Sequence, residues 1–324
     1  MKLYPYLLSS VLKSPIWGGT RLVQEWGKHT ENDTVGESWE LTVREDAVSH
    51  ICNGCYSGKT VRDLISEDQN AIMGKSSYVD GVFPLLVKLI DAGDRLSVQV
   101  HPDDAYAARV EADRGKTEVW YIVEADEGAE IICGLAEGIT VEDFAVAIRE
   151  GRSVEALHHQ PVCAGETYFI PSGLPHAIGK GILIAEIQQN CDLTYRVYDY
   201  ERRQKDGTLR ELHVQKALDV IRNFGKEEIE ALRYARAERG LATDSVLVDC
   251  AYFRTERLEL TGEEDVPIGG DGYLKHLLCL SGHATLRYGA DVVEIGKGDS
   301  YLLPAALSEL SLEGKGIFLL SSAY

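Results

Sequence analysis

Four stretches of this 324-residue chain hold side chains able to do chemistry, at spacings that put them side by side. In Leu96-Ser97-Val98-Gln99-Val100-His101-Pro102-Asp103, strand alternation gathers Ser97, Gln99 and His101 on one face and sends Val98 and Val100 to the other. In Gly115-Lys116-Thr117-Glu118-Val119-Trp120-Tyr121, Lys116 and Glu118 share a face. Opposite charges buried on one strand face are costly unless they meet each other, a metal or a substrate. In Gly165-x5-Pro171-Ser172-Gly173-Leu174-Pro175-His176, a glycine opens a strand, Pro-x-Gly makes a tight turn and a histidine follows on the next strand. The fourth stretch, Glu186 to Tyr200, offers Glu186 as a base and Arg196 as an anion clamp. A guanidinium suits phosphate because it forms paired hydrogen bonds.

The Gly-Pro-x-Gly-His pattern resembles the second motif of the cupin superfamily, whose fold is a double-stranded β jelly roll and whose motif histidine is a metal ligand. That superfamily's first motif usually supplies His-x-His and then a glutamate. Here the pair is Gln99-x-His101, with Glu118 17 residues beyond His101. Gln99, His101, Glu118 and His176 together make two nitrogen and two oxygen donors carrying one negative charge. Such a set suits one near-tetrahedral Zn²⁺ that keeps positive charge and remains a Lewis acid.

Further motifs narrow the resemblance. Ser14-Pro15-Ile16-Trp17-Gly18-Gly19, Gly36-Glu37-Ser38-Trp39-Glu40, Phe83-Pro84-Leu85-Leu86-Val87-Lys88 and Thr194-Tyr195-Arg196-Val197-Tyr198-Asp199 resemble type I mannose-6-phosphate isomerases (phosphomannose isomerases) in their short bacterial form. The resemblance implies a zinc enzyme interconverting mannose 6-phosphate and fructose 6-phosphate. It carries the zinc ligands over to Gln99, His101, Glu118 and His176, and the catalytic lysine, acid and arginine to Lys116, Glu186 and Arg196. Lys88, Ser97 and Arg196 are the expected substrate contacts. The expected chemistry is proton transfer between C1 and C2 through a cis-enediol, with Glu186 the leading candidate for the base; a hydride shift between the two carbons is the alternative route. Two other readings fit part of the pattern: a cupin iron oxygenase built on His101, Glu118 and His176 alone, and a non-catalytic sugar-binding cupin.

The elements that must position these residues read as mainly β, with a few helices. Thr117–Val123, Thr167–Ile170 and Gly181–Ile187 are β-branched or aromatic runs bounded by turn residues. Helices are expected from Thr140 to about Glu150, from Leu212 to Phe224, from Glu227 to Arg239 and from Val61 to Ser66. Gly165-Glu166-Thr167-Tyr168-Phe169-Ile170-Pro171 has an echo in Gly298-Asp299-Ser300-Tyr301-Leu302-Leu303-Pro304. Two jelly-roll units are therefore expected: a catalytic unit over 1–240 and a degenerate one over 241–324 that closes one side of the cleft. In the second, Glu309 takes the place of the motif histidine and Ala306 that of the glycine.

Composition limits the partners. The formal charge of −19 opposes a nucleic-acid role, so an anionic substrate needs a local basic pocket. No apolar run approaches the roughly 20 residues that span a bilayer. The N-terminus carries no cleavable signal pattern. Seven scattered cysteines read as reduced thiols of a cytoplasmic protein, and Asn53-Gly54 within Cys52-x-x-Cys55 reads as a hairpin turn. Oligomeric state is not legible.

Overall fold

A computed structural model describes residues 1–234 and 245–324. A seven-stranded antiparallel sheet runs in the order Arg233–Tyr234, Thr167–Ile170, Glu118–Ala125, Ile182–Gln189, Leu85–Ala92, Glu37–Leu41, Val11–Lys13. Facing it is a five-stranded sheet in the order Tyr195–Tyr198, Val98–Val100, His176–Ile178, Glu130–Leu135, Leu157–Pro161. Ile90, Trp120, Ile122, Tyr168 and Ile184 of the first sheet pack with Ile131, Cys133 and Ile178 of the second to fill one end of the space between them. The other end holds the polar residues described below.

A third sheet of seven strands is built mostly from residues 245–324. Its long strands Lys275–Tyr288, Leu310–Ala323 and Phe253–Pro267 surround an apolar core that includes Leu258, Leu277, Leu286, Leu312 and Phe318. Tyr6–Leu7, from the opposite end of the chain, pairs with Ser300–Leu303 in this sheet. The anticipated boundary near residue 240 lies outside the described residues.

The central strands of the first sheet are covered on both faces, which is why they read as near-continuous apolar runs. All eight residues of Leu85–Ala92 are buried. Leu85, Val87 and Leu89 join Val119, Tyr121, Leu183, Ala185 and Ile187 in packing against Leu278, Leu280, Leu302 and Leu319 of the third sheet. The alternate positions, Lys88 and Ile90 among them, point between the first two sheets. The third sheet therefore backs the first and does not close the cleft: the lining of the cleft comes from residues 17 to 210.

Helix Val141–Arg149 starts at the expected Thr140, through a reciprocal capping box with Asp143. Its Phe144 and Ala147 cover the back of the five-stranded sheet, against Val98 and Val100. Val61–Glu67 forms as read, also on a capping box, from Thr60 to Asp63. The two later helices are shorter than expected. Val214–Val220 stops because the chain turns extended at Ile221 and Arg222 N–H donates to Gly173 O at 2.9 Å. Lys226–Ala231 gives way to the edge strand Arg233–Tyr234, which pairs with Thr167 and Tyr168; the rest of the expected helix lies outside the described residues. Asn53 does not make a two-residue hairpin. Its amide accepts from Leu7 N–H and donates to Pro5 O, at 3.0 Å each, so the loop widens into a 3₁₀ turn, Gly54–Tyr56. All seven cysteines are free thiols. Among the described residues, no helix is long and apolar enough to cross a membrane.

Candidate functional site

Backbone ties between the segments place the four expected donors. Pro102 ends the strand carrying Gln99, and Asp103 caps the following helix Asp104–Val110. The chain returns so that Lys116 N–H donates to Pro102 O at 3.0 Å, which brings Lys116 beside His101. Gly115 permits this approach: a Cβ there would stand 2.5 Å from Asp104 N. Gly173 turns the chain toward His176 with φ +84°, and its N–H donates to His101 O at 2.9 Å. A Cβ at Gly173 would meet Val220 O at 2.8 Å, in a conformation that already disfavours side chains. These contacts join the two histidine-bearing segments directly.

His101, Glu118 and His176 lie together, all buried, with one potential ligand atom from each within 4.8 Å of the others. The two Nε2 atoms are 3.1 Å apart, and the Glu118 oxygens stand 3.6 Å from His101 Nε2 and 3.5 Å from His176 Nε2. Two nitrogens bound to one tetrahedral ion at about 2.0–2.1 Å would be about 3.3 Å apart, close to this spacing. His176 Nδ1 donates to Leu174 O at 2.8 Å, which leaves the Nε2 lone pair toward the cluster. Gln99 lies opposite His176 in the sheet, with its amide 3.4 Å from His176 Nε2. Amide oxygen and nitrogen exchange places by a flip, so Gln99 can turn its oxygen to the same centre.

The electrostatics suit a cation. Burial, followed by Lys116 and the neighbouring ring, holds His101 well below its ordinary range. Burial alone accounts for most of the drop of His176 to about 4, so both rings are neutral and able to ligate. Burial and then Glu186 push Glu118 up to about 7. Neither Glu118 oxygen has a hydrogen-bond partner; Lys116 Nζ stands 3.0 Å from one of them without alignment. A buried carboxylate in that state is incomplete, and a divalent cation among these donors would supply what it lacks.

Two rows of cross-strand neighbours run beside the adjoining cleft, and Lys88, Gln99, Glu186 and Arg196 line it. On the five-stranded sheet, Arg196, Gln99 and His176 are successive partners. On the facing sheet the row is Trp39, Lys88, Glu186, Trp120. Lys88 Nζ lies 3.4 Å from Glu186 Oε1, 3.6 Å from Glu37 Oε2 and 3.7 Å from Asp192 Oδ1. Burial alone would lower the Lys88 pKa, but these three carboxylates raise it above the ordinary lysine value. Lys116 is also raised, with Glu118 and then Glu186 outweighing burial. Glu186 is lowered, because Lys116 and Lys88 overcome the opposing effect of burial. Arg196 donates to Ser97 Oγ at 3.3 Å and Glu211 O at 2.9 Å.

Each residue singled out from the sequence is at or beside this cleft. The structure adds Trp17, Glu37, Trp120, Asp192 and Arg210, which sequence reasoning missed. Glu37 and Trp17 stood inside quoted motifs, but nothing local tells which glutamate or tryptophan faces a cleft. Arg210 is gripped by both oxygens of Asp199, which also holds Arg202. The nitrogens of Arg202 are all engaged, with Asp199, Asp94 and Arg95 O, whereas Arg210 keeps Nη1 free among the described residues and lines the cleft.

Comparison with known proteins agrees with this geometry. Residues 6–141 match the family model described as phosphomannose isomerase type I, catalytic domain, and residues 243–323 match that of the mannose-6-phosphate isomerase cupin domain. The chain is 38% identical over 310 residues to a mannose-6-phosphate isomerase of Streptococcus mutans, spanning 96% of this chain and 95% of that protein. It is also 38% identical to one from Bacillus subtilis, with 96% of each covered. The crystal structure of the mannose 6-phosphate isomerase from Bacillus subtilis superimposes with a TM-score of 0.85 at 32% identity, covering 98% of this chain and 99% of that one.

Proposed function

This chain belongs to the type I phosphomannose isomerase family, and from that premise we propose that it interconverts mannose 6-phosphate and fructose 6-phosphate with one zinc ion held by Gln99, His101, Glu118 and His176. Residues 1–240 form the catalytic unit in this reading, and 241–324 a degenerate jelly roll that supports it from behind. The observation that carries the proposal is the buried His101–Glu118–His176 cluster opening beside a cleft where Glu186, Lys116 and Arg196 converge. Charge balance supports it. Lys88, Lys116, Arg196 and Arg210 offset Glu37, Glu118, Glu186 and Asp192, so a divalent cation and a phosphate of about −2 enter together without leaving net charge.

Bound zinc would supply positive charge to stabilise the oxyanion that develops on the sugar. Glu186 takes the proton from C2 and returns it to C1, passing through a cis-enediol; its lowered pKa keeps it ionised and ready at neutral pH. Lys116 remains an ammonium at that pH and moves the hydroxyl proton between O1 and O2. Lys88 holds Glu186 in its charged form and adds positive charge to the cleft. Arg196, steadied by Ser97, grips the phosphate together with Arg210. Trp17, Ile90, Leu96 and Ile178 give the cleft an apolar wall.

Gln99 beside His176 offers a fourth donor, which favours a near-tetrahedral ion over the three-ligand iron site of an oxygenase. The test is a coupled assay for fructose 6-phosphate on the purified protein, with metal analysis before and after chelation. The expected result is one zinc per chain and activity that disappears and returns with it. Full activity after exhaustive chelation, or oxygen uptake with iron and no isomerisation, would end this reading.

A further inference from the structure

Glu186 has two chemically equivalent oxygens, and the terminal torsion of a glutamate is soft. In this fold they are not equivalent. Trp120 lies directly across from Glu186 in the antiparallel pairing, and its indole Nε1–H donates to Oε2 at 2.9 Å. Oε1 makes no hydrogen bond and faces Lys88 Nζ at 3.4 Å. Trp120 is fully buried, and its ring meets the His176 ring edge-on, with centroids 5.3 Å apart and planes at 80°. The other end of the row repeats the device. Trp39 donates to Glu37 Oε2 at 2.7 Å and places its ring 5.1 Å from Lys88 Nζ. The Lys88–Glu186 ion pair is thus bracketed by two tryptophans, one offering a π face to the cation and the other an N–H to the anion.

The apolar cluster around Trp120, which includes Ile122, Tyr168, Ile170 and Ile184, uses the bulk of the indole and has no need of its N–H. A buried indole N–H must find an acceptor, and this one is satisfied by the side chain proposed to move the proton.

We propose that Trp120 is a positioning residue for Glu186: its N–H pins Oε2 and leaves Oε1 as the oxygen that exchanges a proton with the sugar carbon. This rests on the reading of Glu186 as the base. Trp120→Phe keeps a ring and removes the donor; replacement of Trp120 by benzothienylalanine keeps the bicyclic shape as well, and serves if the phenylalanine variant folds poorly.

The expected result for both is a kcat about tenfold to a hundredfold lower, the range of one hydrogen bond to a charged group, with unchanged KM and metal content; phenylalanine also leaves a cavity and lowers the thermal midpoint, whereas benzothienylalanine fills the same space. The isotope effect with mannose 6-phosphate deuterated at C2 should rise, because carbon–proton transfer becomes more fully rate-limiting. In a Glu186→Gln background, Trp120→Phe should cost nothing further, since it acts through that carboxylate. The inference is overturned by a kcat within about twofold of the parent, by loss of metal in step with activity (which would assign Trp120 to His176), or by a full additional loss in the Glu186→Gln background. Near-normal turnover by Glu186→Gln alone would instead remove the base reading, and this inference with it.

Discussion

The two β units share a local pattern and differ in what they bury. Gly165 to Pro171 and Gly298 to Pro304 each lead through a short strand, Thr167–Ile170 and Ser300–Leu303, into a turn. In the first unit the space between the sheets holds Lys88, His101, Lys116, Glu118, His176 and Glu186, all buried. In the second, the enclosed positions are Leu258, Leu277, Cys279, Leu286, Leu312, Phe318 and Leu320. After the turn, exposed Glu309 stands where His176 stands in the first unit, and Ala306 replaces Gly173. The second unit has one buried histidine, His276, whose Nε2 lies 2.7 Å from Ser300 Oγ and which burial pushes down to about 3. It is a neutral, hydrogen-bonded histidine with no carboxylate beside it. The lesson is that neighbours decide whether a buried imidazole is fit to hold a metal: a second imidazole and an unpartnered carboxylate make it so in one unit, and a serine hydroxyl occupies it in the other.

The largest expected effect comes from breaking the first cluster. His101→Ala should lose its metal and at least roughly a thousandfold in turnover, the equivalent of several kcal/mol of charge stabilisation; metal analysis and the coupled isomerase assay check both. Lys116→Ala should keep the metal and lose about a hundredfold or more in kcat, as for a proton-transferring group. A variant that lost metal as well would make Lys116 part of the cluster's framework. Arg210→Met should raise KM for mannose 6-phosphate about tenfold and weaken inhibition by inorganic phosphate to a similar extent, with little change in kcat. Equal sensitivity to phosphate in parent and variant would take Arg210 out of the phosphate contacts.

The smallest effect belongs to the second unit. His276 is held far below the histidine value of about 6.5 that applies to the unfolded chain, so between these two values the unfolded state binds the extra proton. Stability contributed by this neutral histidine is therefore complete above about pH 6.5 and falls as pH drops toward 3. His276→Gln should leave turnover unchanged and flatten the acid side of the melting-temperature profile, by no more than about 1.4 kcal/mol per pH unit. A His276→Gln variant that lost bound metal would erase the contrast between the units.

Much of the site was legible because its signals are local. Alternation puts Gln99 with His101, and Lys116 with Glu118, whatever the rest of the chain does; Pro171 and Gly173 announce the turn before His176. The capping residues Thr60 and Thr140 likewise announce their helices. The later helices are shorter than the sequence suggests because Gly173 O and the edge of Thr167–Ile170 claim backbone groups that helix propensity alone would leave in the helix. What only the tertiary structure decided is the pair of facing rows, Arg196–Gln99–His176 and Trp39–Lys88–Glu186–Trp120. Each row joins segments tens of residues apart, and a slip of one residue in any strand would turn its member to the opposite face. That register is set by the apolar positions on the two buried faces packing together. So the chain's own pattern specifies which side chains can act as ligands, and the packing of one sheet against its neighbours specifies which carboxylate, lysine and tryptophan meet them.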